Sequence, residues 1–205
     1  IGLTGSLLAG KTIWLLFFWE LSAFGSIFLI SEEHFGEKEI RSIISLFAVS
    51  GISLVFIAAW VFLPDGVIGL RLLLIGLLLK GGFSGIHFWL PEAHSGPPAH
   101  CSATYSGLMV NVPLLLVVRY VLPDWEIIGW DVPLIMLSGI GVFFGGVTAF
   151  FNNNIKRALA YSTIEMMNFM WLCLFVGGFW GKSEDPETNL IGKSFLVLFY
   201  ITLFH

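Results

Sequence analysis

The stretch LLLIGLLLKGGFSGIHFWLPEAHSGPP, Leu72–Pro98, decides how the rest of the chain is read. An apolar run carries one lysine, Lys80, near its centre. Gly81, Gly82 and Gly85 follow, and the run closes on His87, Phe88, Trp89, Leu90 and Pro91. A cation in the middle of a hydrophobic helix costs about 3 kcal/mol on insertion scales. Glycines beside it weaken the helix by roughly 1 kcal/mol each. A sequence that accepts both at one place is expected to need a polar, deformable site inside a membrane. The other reading puts Lys80 near a helix end, where its long stem lets the charge reach the headgroups.

Composition carries the membrane reading outward. Of 205 residues, 57% are hydrophobic and 12% charged, against about 25% charged in soluble domains. An all-α integral membrane protein is therefore expected, in contact with the lipid bilayer. The net charge of −4 sits mostly in loops and points to no nucleic-acid partner. Cys101 and Cys173 lie in apolar surroundings and read as core residues, with no disulfide framework or metal site.

The spans follow from length, since about 20 apolar residues cross the hydrocarbon core. Residues 1–10 read as the tail of a helix and a turn. Thr12 to Ile30 is the first full span, with Glu20 near its middle. Ser31 to Arg41 is a charged loop, Ser42 to Leu63 the second span, and Val67 to Leu90 the third. Pro91 to His100 is a loop. Cys101 to Val121 is the fourth span, with Asn111 and Pro113 inside it, and Leu122 to Asp131 a loop. Val132 to Phe151 is the fifth span, rich in glycine, which permits close packing. After the NNNIKR turn, Ala158 to Trp180 is the sixth, with Glu165 and Asn168 inside. Gly181 to Lys193 is a polar loop, and a seventh helix starts at Phe195. The expected architecture is one transmembrane region over residues 1–205, with about six complete helices plus partial ones. The chain opens and closes within apolar runs, as expected of a piece of a longer protein. Basic residues divide four against four between the two faces, so the positive-inside rule does not set the orientation.

With the loops set aside, Glu20, Lys80, Glu165 and His205 remain as ionisable groups in the spans. Buried membrane charges pair with one another or line a water-filled path. Glu20 and Lys80 on neighbouring helices make a natural couple, either a proton-handling pair or a fixed ion pair that holds two helices together. Glu165 stands roughly 12 Å into the membrane by helical rise. It is expected to snorkel, or to hydrogen-bond Asn168 three residues on. His87, His94 and His100 do not have the i, i+4 spacing of a helical metal pair. They are expected to cap helix ends or to stand at the mouth of a proton path. His34 reads as a solvated loop residue. No nucleophile–His–acid arrangement is present, and no ligand cluster for haem or iron–sulfur, so no catalytic centre, metal or cofactor is expected.

At KGGFSGIHFWLPEAHSGPPAH, SATYSGLMV and NNNIKRALAYSTIE the sequence resembles the antiporter-like membrane subunits shared by respiratory complex I, multisubunit Na⁺/H⁺ antiporters and energy-converting hydrogenases. The Phe18–Trp19–Glu20 element fits the same pattern. The AHSGPPAH loop, Ser106–Gly107 and Ile164–Glu165 look closer to hydrogenase-type subunits, such as those of formate hydrogenlyase. The resemblance implies a half-channel of five helices plus part of its inverted repeat, with a discontinuous central helix. It makes Lys80 the pumping lysine at the helix break, Glu20 its carboxylate partner and His205 the histidine that continues the relay. It also implies that Ser31–Arg41, Pro91–His100 and Asn152–Arg157 face the cytoplasm.

Two departures stand out. Asn111 occupies the position where the family has an onward lysine, and Tyr105 the position of the alternative histidine. Asn154 replaces a common acid in the turn, which reads as a small change in loop charge. The implied function is a proton- or sodium-translocating subunit of a multisubunit redox complex, with other membrane subunits as partners. The bacterial or archaeal cell membrane or the mitochondrial inner membrane would hold it. A subunit of the same complex that has lost transport is the alternative, and a stand-alone secondary transporter is a third.

Overall fold

The computed structural model describes residues 1–11, 13–30, 36–63, 66–95 and 99–204. Among these the chain is helical. The helices are α1 (Gly2–Leu8), α2 (Ile13–Ile30), α3 (Glu37–Phe62), α4 (Val67–Lys80), α5 (Trp89–Ser95), α6 (Ala99–Thr104), α7 (Asn111–Tyr120), α8 (Asp131–Phe151), α9 (Ile155–Trp180) and α10 (Pro186–Phe204). A π-turn, Tyr105–Met109, joins α6 to α7, and a 3₁₀ turn, Leu122–Ile127, follows α7. Four helical stretches are long and apolar enough to cross a membrane: Glu39–Phe62, Cys101–Tyr120, Asp131–Phe151 and Ile155–Trp180. Helix α2 supplies a shorter apolar stretch, Ile13–Phe28. The expected third span is interrupted. Helix α4 stops at Lys80, and α5 resumes at Trp89.

Capping chemistry moves three of the expected boundaries. Helix α3 begins at Glu37, inside the expected charged loop. Glu37 and Glu39 sit in its first turn, where the helix dipole favours acids. Helix α10 begins at Pro186, within the expected polar loop. Proline suits a first helical position, and the Thr188 amide donates to Asp185 Oδ2 at 3.1 Å. Asn154 caps α9, accepting from the Lys156 amide at 3.0 Å and the Arg157 amide at 3.4 Å. The asparagine at this position thus has a structural task of its own.

The surface is inverted relative to a water-soluble protein. Phe28, Phe143, Phe150 and Phe151 are 73%, 68%, 85% and 76% exposed, while Lys80 is 1% exposed. Apolar side chains outward and a cation inward is what lipid selects. Helix α9 is central and packs on α8, α10 and α5, while α3 packs on α2, α4 and α5. The α8–α9 contact depends on missing side chains. A Cβ at Gly145 would come within 2.8 Å of the Glu165 backbone nitrogen, so only glycine allows that approach. Inside, Trp125 stacks on Phe175 and Phe175 on Trp171, with centroids 5.3 and 5.5 Å apart. Phe83 meets Trp171 edge-on at 6.3 Å. This aromatic column ties the 3₁₀ turn to the break after Lys80.

Candidate ion-translocation site

The site begins where α4 ends. Gly82 has φ +66°, and the Phe83 amide donates to Leu78 O at 3.3 Å, the six-to-one closure of a Schellman turn. Gly85 has φ +87° and lets the chain turn again before α5. A helix broken inside a membrane frees backbone groups that must find partners in protein or water. Here side chains supply them. Trp89 Nε1 donates to Leu79 O at 2.9 Å, and Trp171 Nε1 donates to Gly81 O at 3.1 Å. Asn168 Nδ2 donates to Gly82 O at 3.3 Å, and Asn168 Oδ1 accepts from the Ser84 amide at 2.9 Å. Gly81 is glycine for a separate reason, because a Cβ there would lie 2.6 Å from the Trp171 ring.

Lys80 ends α4 and turns inward toward α2. Its Nζ lies 4.4 Å from the centre of the Trp19 ring and donates to Ser22 Oγ at 3.5 Å. A ring face offers a desolvated cation about 2 kcal/mol. Glu20, beside Trp19 on α2, is near enough to act electrostatically on Lys80. No direct hydrogen bond or ion pair joins the two among the described residues. Glu20 Oε2 is buried and lacks a hydrogen-bond partner there, as does Trp19 Nε1. The ammonium therefore rests on a ring and one long hydrogen bond, close to a carboxylate with spare acceptor capacity. That differs from a locked salt bridge.

The α2 face continues away from Lys80. Ser26 Oγ donates to Ser22 O at 2.8 Å, and the Tyr105 hydroxyl donates to Ser26 O at 2.8 Å. His94, on α5, stands edge-on to Tyr105 with centroids 6.0 Å apart, and its Nδ1 is hydrogen-bonded to Ser102 Oγ. Ser102 opens on a cavity of ≈ 690 Å³ between α6, the π-turn, α7, α9 and α10. Asn111 lines the same cavity. Its Nδ2 donates to Gly107 O at 2.8 Å, and its Oδ1 is buried without a hydrogen-bond partner among the described residues.

The structure brings Glu20 and Lys80 together and sets Glu165 apart. Glu165 packs on Gly145 and Gly146 of α8 and borders a second cavity of ≈ 260 Å³ with Ser162 and Thr202. The expected Glu165–Asn168 hydrogen bond does not form, because Asn168 is fully engaged at the helix break and at Ile164 O. His87 is half-buried in the turn before α5, and its Nδ1 is buried without a partner among the described residues. His34 and His205 lie outside the described residues, and so does the side chain of His100. Thr202 and Leu203, just before His205, line the larger cavity. Among the described residues no group of three or more His, Cys, Asp or Glu could hold a metal ion.

Sequence reasoning missed the residues that hold the break. Trp171 and Asn168 are three apart on α9, so both project from one face. A tryptophan and an asparagine three apart in an apolar helix were the available signal. Ser22 and Ser26 were also missed, since single serines in an apolar span carry no pattern.

Comparison with known proteins finds relatives for the sequence and for the fold. A family model described as NADH:quinone oxidoreductase/Mrp antiporter, TM, matches residues 64–201. An uncharacterized protein of Mycobacterium tuberculosis is 32% identical over 191 residues, covering 81% of this chain and 29% of that protein. Hydrogenase-4 component B of Escherichia coli K12 is 30% identical over 125 residues, covering 57% of this chain and 18% of its own length. The chain thus spans less than a third of these relatives. A structure of the membrane-bound sulfane sulfur reductase, an archaeal respiratory membrane complex, superposes with a TM-score of 0.74 at 20% identity, over 98% of this chain and 47% of that one.

Proposed function

The chain belongs to the NADH:quinone oxidoreductase/Mrp antiporter transmembrane family, and from that premise we propose that it is an ion-translocating subunit of a multisubunit, redox-driven membrane complex. The ion is H⁺, with Na⁺ the alternative. Other membrane subunits would be its partners, and one of them would hold the redox centre. One observation carries this reading: Lys80, 1% exposed, ends a helix inside the bundle next to Glu20 and without a direct ion pair to it. A proton or a positive charge can leave such a site when its surroundings rearrange. By the family resemblance His205 would continue the path, and Asn111 and the ≈ 690 Å³ cavity would take part in it. Glu165 would serve as a polar contact beside that path.

Vesicles holding the intact complex test it. Lys80→Ala and Glu20→Ala are each expected to stop ion translocation while electron transfer continues in part. Pumping retained in both variants overturns the proposal. The second reading, a membrane-arm subunit that does not transport, draws on Asn111 and Tyr105, both tied to backbone carbonyls and neither a ready proton carrier. It requires pumping by the complex to be indifferent to Lys80 and Glu20, so the same vesicles decide between the two.

A further inference from the structure

His94 is 1% exposed, on the half of the broken helix beyond Lys80. Its Nδ1 contacts Ser102 Oγ, and its Nε2 is buried without a hydrogen-bond partner among the described residues. A neutral imidazole so placed has two forms. Either Nδ1–H donates to Ser102 and Nε2 keeps a free lone pair, or Ser102 donates to Nδ1 and Nε2–H is free. In both, one ring nitrogen is left for a visiting partner, and an unpaired buried polar atom calls for such an explanation. On one side, Ser102 leads to the ≈ 690 Å³ cavity, also lined by Ser106, Asn111, Ser162, Thr163 and Thr202. That space accommodates several waters at about 30 Å³ each. On the other side, Tyr105 packs edge-on against the ring and its hydroxyl donates to the Ser26 carbonyl of α2, one turn from Ser22, whose hydroxyl accepts from Lys80. Tyr105 and Met109 bound a π-turn, a distortion frequent at functional sites.

Lys156 lines the cavity that Ser102 opens on, and the other ionisable groups near His94 are few. Glu92, on the same helix, pairs outward with Arg157 of α9 at 3.5 Å. Helix α3 hydrogen-bonds the α5 backbone through Ser42 and Ser45, which brings Glu39 and Arg41 to the same end of the bundle. Helix α6 and the π-turn contribute Cys101 and Tyr105, both buried. Among the described residues no carboxylate pairs with the ring.

We propose that His94 exchanges protons between the cavity and the α2 seam that holds Lys80, filling the place that Tyr105 and Asn111 leave without an ionisable group. This rests on the ion-translocation reading above. A proton released by the Lys80 ammonium, which becomes the neutral amine, and carried by water along the seam bonds to the Nε2 lone pair and makes the ring an imidazolium. The Nδ1–H bond then breaks, and that proton leaves by Ser102 to cavity water. The ring returns to neutral as the other tautomer. Charge and atoms balance, and the reverse sequence carries a proton inward.

Vesicles bearing the full-length subunit in its complex provide the test, with Lys80→Ala, His94→Ala and His94→Gln compared at equal assembly. Glutamine keeps hydrogen bonding and much of the shape but is not basic. Both His94 variants are expected to slow proton translocation about tenfold or more. The glutamine variant should also lose whatever pH dependence of translocation the His94 imidazole contributes. Added imidazole should restore His94→Ala, while thiazole, a similar ring of far lower basicity, should not. His94→Gln working at the full rate with an unchanged profile, or equal rescue by both rings, overturns the proposal. If Lys80→Ala is inactive and the His94 variants are normal, this inference alone fails. If Lys80→Ala translocates normally, the reading beneath it fails.

Discussion

Two irregular helical segments lie side by side in this bundle, and they treat polar groups in opposite ways. At the break after Lys80, the freed carbonyls of Leu79, Gly81 and Gly82 and the amide of Ser84 are all taken up by Trp89, Trp171 and Asn168. At the π-turn after α6, Asn111 Oδ1 has no partner among the described residues and borders a ≈ 690 Å³ cavity, and His94 Nε2, on a ring packed against Tyr105 of the turn, is likewise unpartnered there. The first region fixes backbone around a charge. The second leaves polar atoms available to water. One chain thus combines a rigid mount for Lys80 with a loose polar path next to it, and the same residue type, asparagine, serves both.

Substitutions at the two segments sharpen that contrast. Trp171→Ala should have the largest effect. It removes a fully buried ring from the aromatic column and leaves Gly81 O unpaired, so a stability loss of about 3–5 kcal/mol is expected in thermal or denaturant unfolding of the purified subunit. A loss under about 1 kcal/mol would mean the break does not depend on this mount. Gly81→Ala attacks the same contact from the other side. The added Cβ would fall 2.6 Å from the Trp171 ring, and overpacking of this kind costs about 1–3 kcal/mol. Trp171 fluorescence should shift with it, which an unmoved ring would not show.

The asparagine pair is the most direct comparison between the segments. Asn168→Ala strands the Ser84 amide and Gly82 O inside the bundle, at roughly 1–3 kcal/mol. Asn111→Ala removes one local bond to Gly107 O and an oxygen that was already unpartnered, so a change of about 1 kcal/mol or less is expected. Equal losses at the two positions would erase the distinction drawn between mount and path. Asn154→Ala, at the start of α9, should cost about 1 kcal/mol as a lost helix cap. It should leave translocation untouched in the vesicle assay.

Much of this arrangement was legible in the sequence because burying a charge is costly. A lysine among leucines and glycines, and a glutamate in another apolar run, announce a membrane site without any structure. The glycines after Lys80 marked a deformable site within an expected continuous span, and the break itself was implied only by the family resemblance. What holds the break was not legible. Trp89 and Trp171 act through one hydrogen bond each across 10 and 90 residues, and Asn168 through two across 84 and 86, and no periodicity encodes those. Helix starts were misjudged at Glu37 and Pro186 because charged residues that cap a helix read, in a linear sequence, as loop. His94 and His87 looked alike in the sequence. Only packing separates them, burying His94 against Tyr105 and leaving His87 half-buried.

In the proposed mechanism Lys80, held at the helix break beside Glu20, carries the translocated charge. The number of ions moved per electron in vesicles containing the complex with Lys80→Ala tests it most directly. That ratio should fall by the whole share contributed by this subunit while electron transfer persists. An unchanged ratio at normal assembly would contradict the role assigned to Lys80.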